Sequence, residues 1–260
     1  MQVPGFTVCV LCYGDHTDLA QRCLGSISRT LDKQHVVDLR VGLNDVCPGT
    51  REYVFDVLRS MDLLDPPLIY EPERNVHKYP LMRRMFYDKL RPVQSTHLMW
   101  FDDDSCITDG PDWWAKTWAK AQQYTMIGDI WYVPYRGHTE WVRRQSWYTG
   151  KPFHKIRGRE AMKFATGGWW AAEFLPIRRW SYPWQELNHR GGDCSLGEML
   201  NQQGYTLGKH KDGLWINADD RGKNSGAPRR GYDERPVWYD YRPEPDLSHH
   251  RFDYQVHEAT

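Results

Sequence analysis

Apolar and polar positions change period several times along the first 130 residues, and each change marks an element. Residues 6–12 form a nearly continuous apolar run, the pattern of a strand buried on both faces. Residues 15–31 open with helix-capping types and then place Leu19, Cys23, Leu24, Ile27 and Leu31 at helical spacing. Residues 36–43 read as a second strand, and 49–64 as a helix stopped by Pro66-Pro67. Residues 68–70 read as a third strand. Residues 80–90 carry Leu81, Met85 and Leu90 on one stripe and predict a helix, and 97–101 predict a fourth strand. Regular alternation of strand and helix predicts an α/β sheet covered by helices on both faces. Ligands of such sheets bind outside the carboxyl ends of the strands. Asn44-Asp45 and Asp102-Asp103-Asp104 both fall at such ends and point at one crevice.

Past residue 110 the pattern loosens. Residues 111–124 predict a helix with Trp114, Trp118 and Ala121 turned inward, and 127–133 a strand. Residues 135–165 read as loop-rich and basic, 191–203 as a helix ended by Gly204, and 205–207 as a strand. Residues 219–260 are rich in Arg, Gly, Pro, His and Tyr, show little periodicity, and read as an extended or adaptable tail.

The apolar run ending in Trp100-Phe101 stops abruptly at three aspartates. Adjacent carboxylates repel one another, and a divalent cation held by oxygen ligands removes that cost. Side chains two apart on an extended segment share a face, so Asp102 and Asp104 can converge on one ion. A turn or helix cap is the competing reading, because aspartate is favoured there too.

Composition narrows the alternatives. Lys plus Arg and Asp plus Glu each number 34 among the 260 residues, which excludes a wholly basic or an acidic disordered chain. The balance is local: residues 136–235 hold 18 basic and 11 acidic groups, which makes them the candidate face for an anionic partner. No apolar run approaches membrane-spanning length, and residues 1–5 carry no leader pattern, so a cytoplasmic location is expected, the host cytoplasm if the source is viral. The six scattered cysteines fit buried free thiols. Cys9 and Cys12 have metal-motif spacing, but on a strand they face opposite ways. The 13 tryptophans suit core filling or stacking platforms for sugars and bases.

The motifs in order resemble the GT-A glycosyltransferases, close to glycosyltransferase family 2. Leu98-Met99-Trp100-Phe101-Asp102-Asp103-Asp104 looks like the DxD motif of that family. Residues 6–13 with Leu24-Gly25-Ser26-Ile27 are similar to its opening strand and helix, and Val41-Gly42-Leu43-Asn44-Asp45 to the second-strand motif whose acid meets the nucleoside. Asn75-Val76-His77-Lys78, followed by Arg83, resembles the segment before the DxD strand. Gly167-Gly168-Trp169-Trp170 is similar to the stretch that approaches donor sugar and acceptor. Gly192-Asp193 stands where the family has Glu-Asp at a helix start, with glycine replacing the glutamate. The resemblance spans residues 6–217 and implies a GT-A, Rossmann-like fold with a central mixed sheet flanked by helices. It implies a glycosyltransferase domain over 1–218, with a nucleotide-sugar half to residue 110 and an acceptor half after it. Residues 219–260 form a C-terminal extension, basic and then aromatic and His-rich.

The activity implied is transfer of a sugar from a UDP-sugar to a hydroxyl, assisted by Mn²⁺ or Mg²⁺ and with inversion. Asp193 would be the general base, a helix N-cap being its ordinary alternative. Glu198 and Glu186 are fallback bases. Asp104, Asp102 and His210 would serve the metal, although a lone histidine is more often packing. Asp45, Asp102 and Asp103 would serve the nucleotide, and Lys78 and Arg83 the diphosphate. Trp169 and Trp170 could be stacking walls or core. Arg221, Arg229 and Arg230, with Arg143, Arg144, Lys151, Lys155, Arg157 and Arg159, could track a phosphate backbone. That basic side resembles phage-type transferases acting on 5-hydroxymethylcytosine in DNA, and a flipped base would suit the aromatic surplus. A saccharide or protein hydroxyl as acceptor, or a non-catalytic nucleotide-sugar or nucleic-acid binding module, are the competing functions.

Overall fold

The structure is a computed structural model that describes residues 2–134, 136–185, 187, 191–216 and 254–259. The strands and helices follow in the order β1 (Val3–Tyr13), α1 (Thr17–Thr30), β2 (Val36–Asn44), α2 (Pro48–Arg59), β3 (Leu68–Pro72), α3 (Lys78–Phe86) and β4 (Ser95–Asp102). Then come β5 (Ser105–Ile107), α4 (Trp113–Ala121), β6 (Met126–Val133), α5 (Arg136–Val142), β7 (His154–Ile156) and β8 (Arg159–Glu173). The chain continues through α6 (Phe174–Arg179), α7 (Gly192–Gln202), β9 (Leu207–Lys209), β10 (Leu214–Ile216) and β11 (Tyr254–Glu258).

The main sheet runs β11-β3-β2-β1-β4-β8-β6-β9, with β7 added to β8, and β5 pairs with β10 in a separate ribbon. Strands β3, β2, β1 and β4 are parallel, as the alternation with helices requires. Beyond β4 the sheet turns mixed, because β8 enters antiparallel between β4 and β6.

Period two sorts the strand side chains into two cores. Phe6, Val8, Val10 and Cys12 of β1, Met99 and Phe101 of β4, and Trp169 and Ala171 of β8 join the core under α1, α2 and α4. Cys9 and Leu11, Leu98 and Trp100, and Trp170 and Ala172 join the core shared with α3 and α7. Cys9 and Cys12 thus lie on opposite sides of the sheet, and every cysteine is a free thiol.

Several elements depart from the sequence expectation. Residues 135–165, expected as loop, contain α5, β7 and the first half of β8. Strand β8 runs through Gly167-Gly168, and a glycine pair inside a strand masks the alternation that would announce it. In the tail, Tyr254–Glu258 forms an antiparallel edge strand on β3, a pairing that only the tertiary fold can reveal. No helix among the described residues is long and apolar enough to cross a membrane.

Candidate active site

Strands β1, β2 and β4 deliver their carboxyl ends to one side of the sheet, and three segments meet there. The first is the end of β2. Asn44 is buried; its Nδ2 donates to Asn75 Oδ1 at 3.0 Å, and its Oδ1 accepts from Val76 N at 3.0 Å. Asn75 Oδ1 also accepts from His77 N at 2.8 Å. This amide pair pins the segment between β3 and α3 to the tip of β2. Two residues here, Asp45 at φ 55° and His77 at φ 65°, adopt the left-handed conformation that non-glycine side chains rarely take. Such backbone persists where surrounding contacts over-determine it, and it concentrates at functional sites.

The second segment is the aspartate turn after β4, whose three acids have three environments. Asp102 has both oxygens engaged, Oδ1 by Trp100 Nε1 at 2.8 Å and Oδ2 by Lys78 Nζ at 2.9 Å. Asp103 is buried, and its Oδ2 accepts from Tyr13 N at 3.0 Å, which ties the end of β1 to the end of β4. Asp104 is half-buried and sits beside Gly168, close enough that a Cβ on that glycine would lie 3.8 Å from its Oδ1. Ser105 Oγ lies 2.7 Å from both Asp102 O and Gly168 O and ties the turn to β8.

The third segment is the start of α7. Gly191, in the left-handed region at φ 74°, is the N-cap and makes no side-chain cap. Asp193 is therefore not the cap. It lies in the first turn, where the helix dipole favours a negative charge. Its Oδ2 accepts from Tyr79 Oη at 2.8 Å and Lys78 Nζ at 3.3 Å, and its Oδ1 from Trp170 Nε1 at 3.2 Å. Glycine at 192 has a steric reason: a Cβ there would come within 2.3 Å of the Tyr79 ring. The ring that orients Asp193 fills the space of the side chain expected before it.

Lys78 joins these segments. Its ammonium reaches Asp102, Asp193 and the Gly167 carbonyl, the last at 3.0 Å. A lysine at a helix N-terminus is opposed by the dipole, and two carboxylates offset that cost. Burial alone would lower its pKa, but the charges of Asp102 and Asp193 outweigh burial and hold it above the ordinary lysine value. For Asp102 burial dominates and pushes the carboxyl up; Lys78 pulls it back, and Asp104 and Asp193 add to the rise. Lys78 thus stands between two carboxylates, with half-buried Asp104 in the adjoining turn.

Several expected site residues have other duties. Arg83 donates to the carbonyls of Ser181 at 2.8 Å and Pro183 at 2.6 Å, so its guanidinium braces the 181–183 segment. Trp169 and Trp170 are fully buried, so neither offers a face to a sugar; Trp170 acts instead through its indole N–H on Asp193. His210 packs against Trp113 and Trp169, and its Nε2 lies 3.0 Å from Thr117 Oγ1. Burial lowers its pKa, in keeping with its packing in the core. Glu198 is fully buried and caps the Lys163 amide at 3.1 Å while accepting from Gln202 at 2.8 Å, which binds α7 to β8.

Of the basic residues, Arg143 pairs with Glu160 and Lys151 with Asn201. Asn201 is eight residues along α7 from Asp193, so Lys151 stands about 12 Å of helix axis from that acid. Glu186, Arg221, Arg229 and Arg230 lie outside the described residues. Tyr79 and Trp100 carry much of the geometry, and no role falls to either from the sequence reading. For Trp100 the signal was present, since it shares a face of β4 with Asp102.

Among the described residues, no three His, Cys, Asp or Glu side chains are gathered to hold a metal ion. Asp102 is occupied by Trp100 and Lys78, Asp103 by Tyr13, and His210 by its aromatic packing. Asp104 adds a half-buried carboxylate in the same turn. That set fits Mg²⁺ or Mn²⁺ carried largely by substrate phosphates and water, and it does not fit an all-protein cage.

No protein-family model matches the chain, and no curated protein matches its sequence. Solved structures match its fold. S. aureus TarS residues 1–349 align at 13% identity and TM-score 0.53, over 80% of this chain and 58% of that one. The same TarS fragment with UDP-GlcNAc aligns at 10% identity and TM-score 0.52, over 84% and 60%. The mannosyltransferase PcManGT from Pyrobaculum calidifontis, in complex with GDP-Man and Mn²⁺, aligns at 14% identity and TM-score 0.51, over 85% and 61%. The fold is the GT-A fold. The chain spans about three fifths of the length of each of these structures.

Proposed function

We propose that the chain transfers a sugar from a nucleoside diphosphate sugar, UDP-linked by resemblance, to a hydroxyl acceptor, with inversion at the anomeric carbon. The observation that carries this reading is the meeting of the Asp102–Asp104 turn and Asp193 through Lys78, at the carboxyl ends of the strands of a GT-A fold. The solved structures of similar fold include complexes with UDP-GlcNAc and with GDP-Man and Mn²⁺, which supports a nucleotide-sugar donor here.

In the reaction, the acceptor oxygen forms a bond to the anomeric carbon as the bond from that carbon to the diphosphate oxygen breaks. The acceptor proton passes to Asp193, and the nucleoside diphosphate leaves. A carboxylate offers about four acceptor positions; three side-chain donors occupy part of that capacity and leave a position on Oδ1 for the acceptor hydroxyl. Tyr79 and Trp170 aim the carboxylate, and its side chain remains 13% exposed, so an acceptor can reach it. Asp104 would hold the cation, and a bound Mg²⁺ or Mn²⁺ supplies charge neutralisation of the departing diphosphate. Half-buried Asp45 and the Asn44–Asn75 pair would line the nucleoside side.

The proposal for the acceptor stops at a hydroxyl. The hydroxymethyl group of 5-hydroxymethylcytosine in DNA is the candidate drawn from the basic segment that includes Arg221, Arg229 and Arg230.

The test is a donor-by-acceptor screen with UDP- and GDP-sugars, Mn²⁺ or Mg²⁺, and detection of released nucleoside diphosphate. One acceptor arm holds hydroxymethylcytosine DNA beside unmodified DNA; another holds oligosaccharides. Turnover with some donor is expected, and Asp193→Asn should lower it by ~10²–10⁴-fold with the fold intact. Full turnover in Asp193→Asn removes the base assignment, and no release with any donor removes the enzymatic reading.

A further inference from the structure

Lys78 carries more of the site's geometry than an anion-binding lysine would. An ammonium has three N–H groups. Here three acceptors meet it: Asp102 Oδ2 at 2.9 Å, Gly167 O at 3.0 Å and Asp193 Oδ2 at 3.3 Å. Its side chain is 13% exposed, and the ammonium also lies over the rings of Trp100 and Tyr79. Every hydrogen is engaged, so none is left for a phosphate.

Both acids that Lys78 joins are held from behind as well. Trp100 and Trp170 are register partners on β4 and β8, and their indoles stack at 17° with centroids 6.4 Å apart. Each gives its N–H to one acid, Trp100 to Asp102 and Trp170 to Asp193. The stacked pair forms a floor under the two carboxylates, and Lys78 closes the frame on the other side. Glycine at 167 permits the closure, since a Cβ there would sit 2.5 Å from Asp193 Oδ2 and 3.1 Å from Lys78 Nζ.

We propose that Lys78 is a positioning residue for the transfer: it fixes Asp193 relative to the aspartate turn, and it does not bind the donor's diphosphate. In this frame Asp102 anchors the lysine. The proposal rests on the glycosyl-transfer reading above. It assigns Lys78 an effect on the rate of the bound complex, where a phosphate-binding lysine would set donor affinity.

The experiment measures saturating turnover and donor affinity separately, by nucleoside diphosphate release and by calorimetric titration of the same nucleotide sugar. In Lys78→Met, kcat should fall ~100-fold or more while donor Kd stays within about threefold of wild type, because misplacing a reacting group costs rate. A tenfold or greater rise in Kd with near-normal kcat would make Lys78 a phosphate ligand and overturn the proposal. Removing the lysine leaves two carboxylates facing each other, so Trp170→Phe serves as the second variant, keeping a smaller aromatic ring in the core while removing the indole N–H to Asp193. It should lower kcat about tenfold at unchanged Kd; unchanged kcat overturns the frame. A wild-type chain that turns over no donor overturns this proposal together with the transfer reading, whereas an active wild type with a donor-affinity defect in Lys78→Met overturns this proposal alone.

Discussion

The two ends of α3 each hold a cation, Arg40 buried and Lys78 half-buried, and they use it differently. At the C-terminal end, Arg40 rises from β2 and donates to the Met85 carbonyl, to Arg91 O at 2.6 Å and to Asp38 Oδ2 at 2.7 Å. Asp38 is closed on its other side by Arg91 at 2.6 Å. A cation belongs at a helix C-terminus, where the last carbonyls lack partners. Two guanidinium groups serve one carboxylate, and the remaining donors go to backbone. At the N-terminal end, Lys78 stands against the dipole and faces two carboxylates. The first arrangement binds strand, helix end and the Arg91 segment to one another. The second gathers two carboxylates around one ammonium at the mouth of the sheet. Burial of ionic groups therefore does not mark a site; their place at the carboxyl ends of the strands does.

The comparison is broken most directly at the closed end. Arg40→Met leaves Asp38 buried with reduced compensation and should cost ~3–5 kcal/mol of stability, read by urea denaturation. The folded fraction should bind nucleotide sugar with unchanged affinity. A loss of donor affinity at unchanged stability would show that the two ends are not separate in function.

His97 gives the next effect. It is buried near the start of β4, the strand that ends in Asp102, and burial pulls its pKa down to about 4. The unfolded chain protonates near pH 6.5 and the folded one only near 4. Above pH 6.5 both forms are neutral and stability is full. As pH falls from 6.5 toward 4, the unfolded state binds the proton more tightly, and stability should drop by up to ~3 kcal/mol. Denaturation curves across that range measure the slope, and His97→Phe should flatten it.

The smallest effect on stability is expected at the open end. Gly192→Ala drives a Cβ into the Tyr79 ring and should cost ~1–3 kcal/mol. Because Tyr79 aims Asp193, turnover should fall more than stability suggests, about tenfold or more in kcat. Equal turnover in the variant and the wild type would sever Tyr79 from the reaction.

Much of the scaffold was legible because its signals are local. The apolar run of β1, the helical stripe of α1 and the Pro66-Pro67 stop each lie within one element. The aspartate turn announced itself because three acids ending an apolar strand conflict with the pattern around them. Residues 135–165 were misread because β7 is short and β8 contains adjacent glycines. The roles of Arg83 and Trp170 were illegible for another reason. Their partners lie 98 to 100 residues away for Arg83 and 23 residues away, at the start of a helix, for Trp170, and no spacing rule reaches that far.

The order of strands and helices through β4, and the place of Asp102–Asp104 at a strand's end, follow from the sequence alone. Periodicity and turn chemistry act over a few residues, and they suffice for that. Which groups hold each acid was settled by packing between elements distant in the chain. Lys78 and Asp193 are 115 residues apart in the chain and 3.3 Å apart in space. Whether a carboxylate anchors a lysine, caps a strand or faces a substrate depends on which groups the fold packs against it, because hydrogen bonds and desolvation are decided at contact distance.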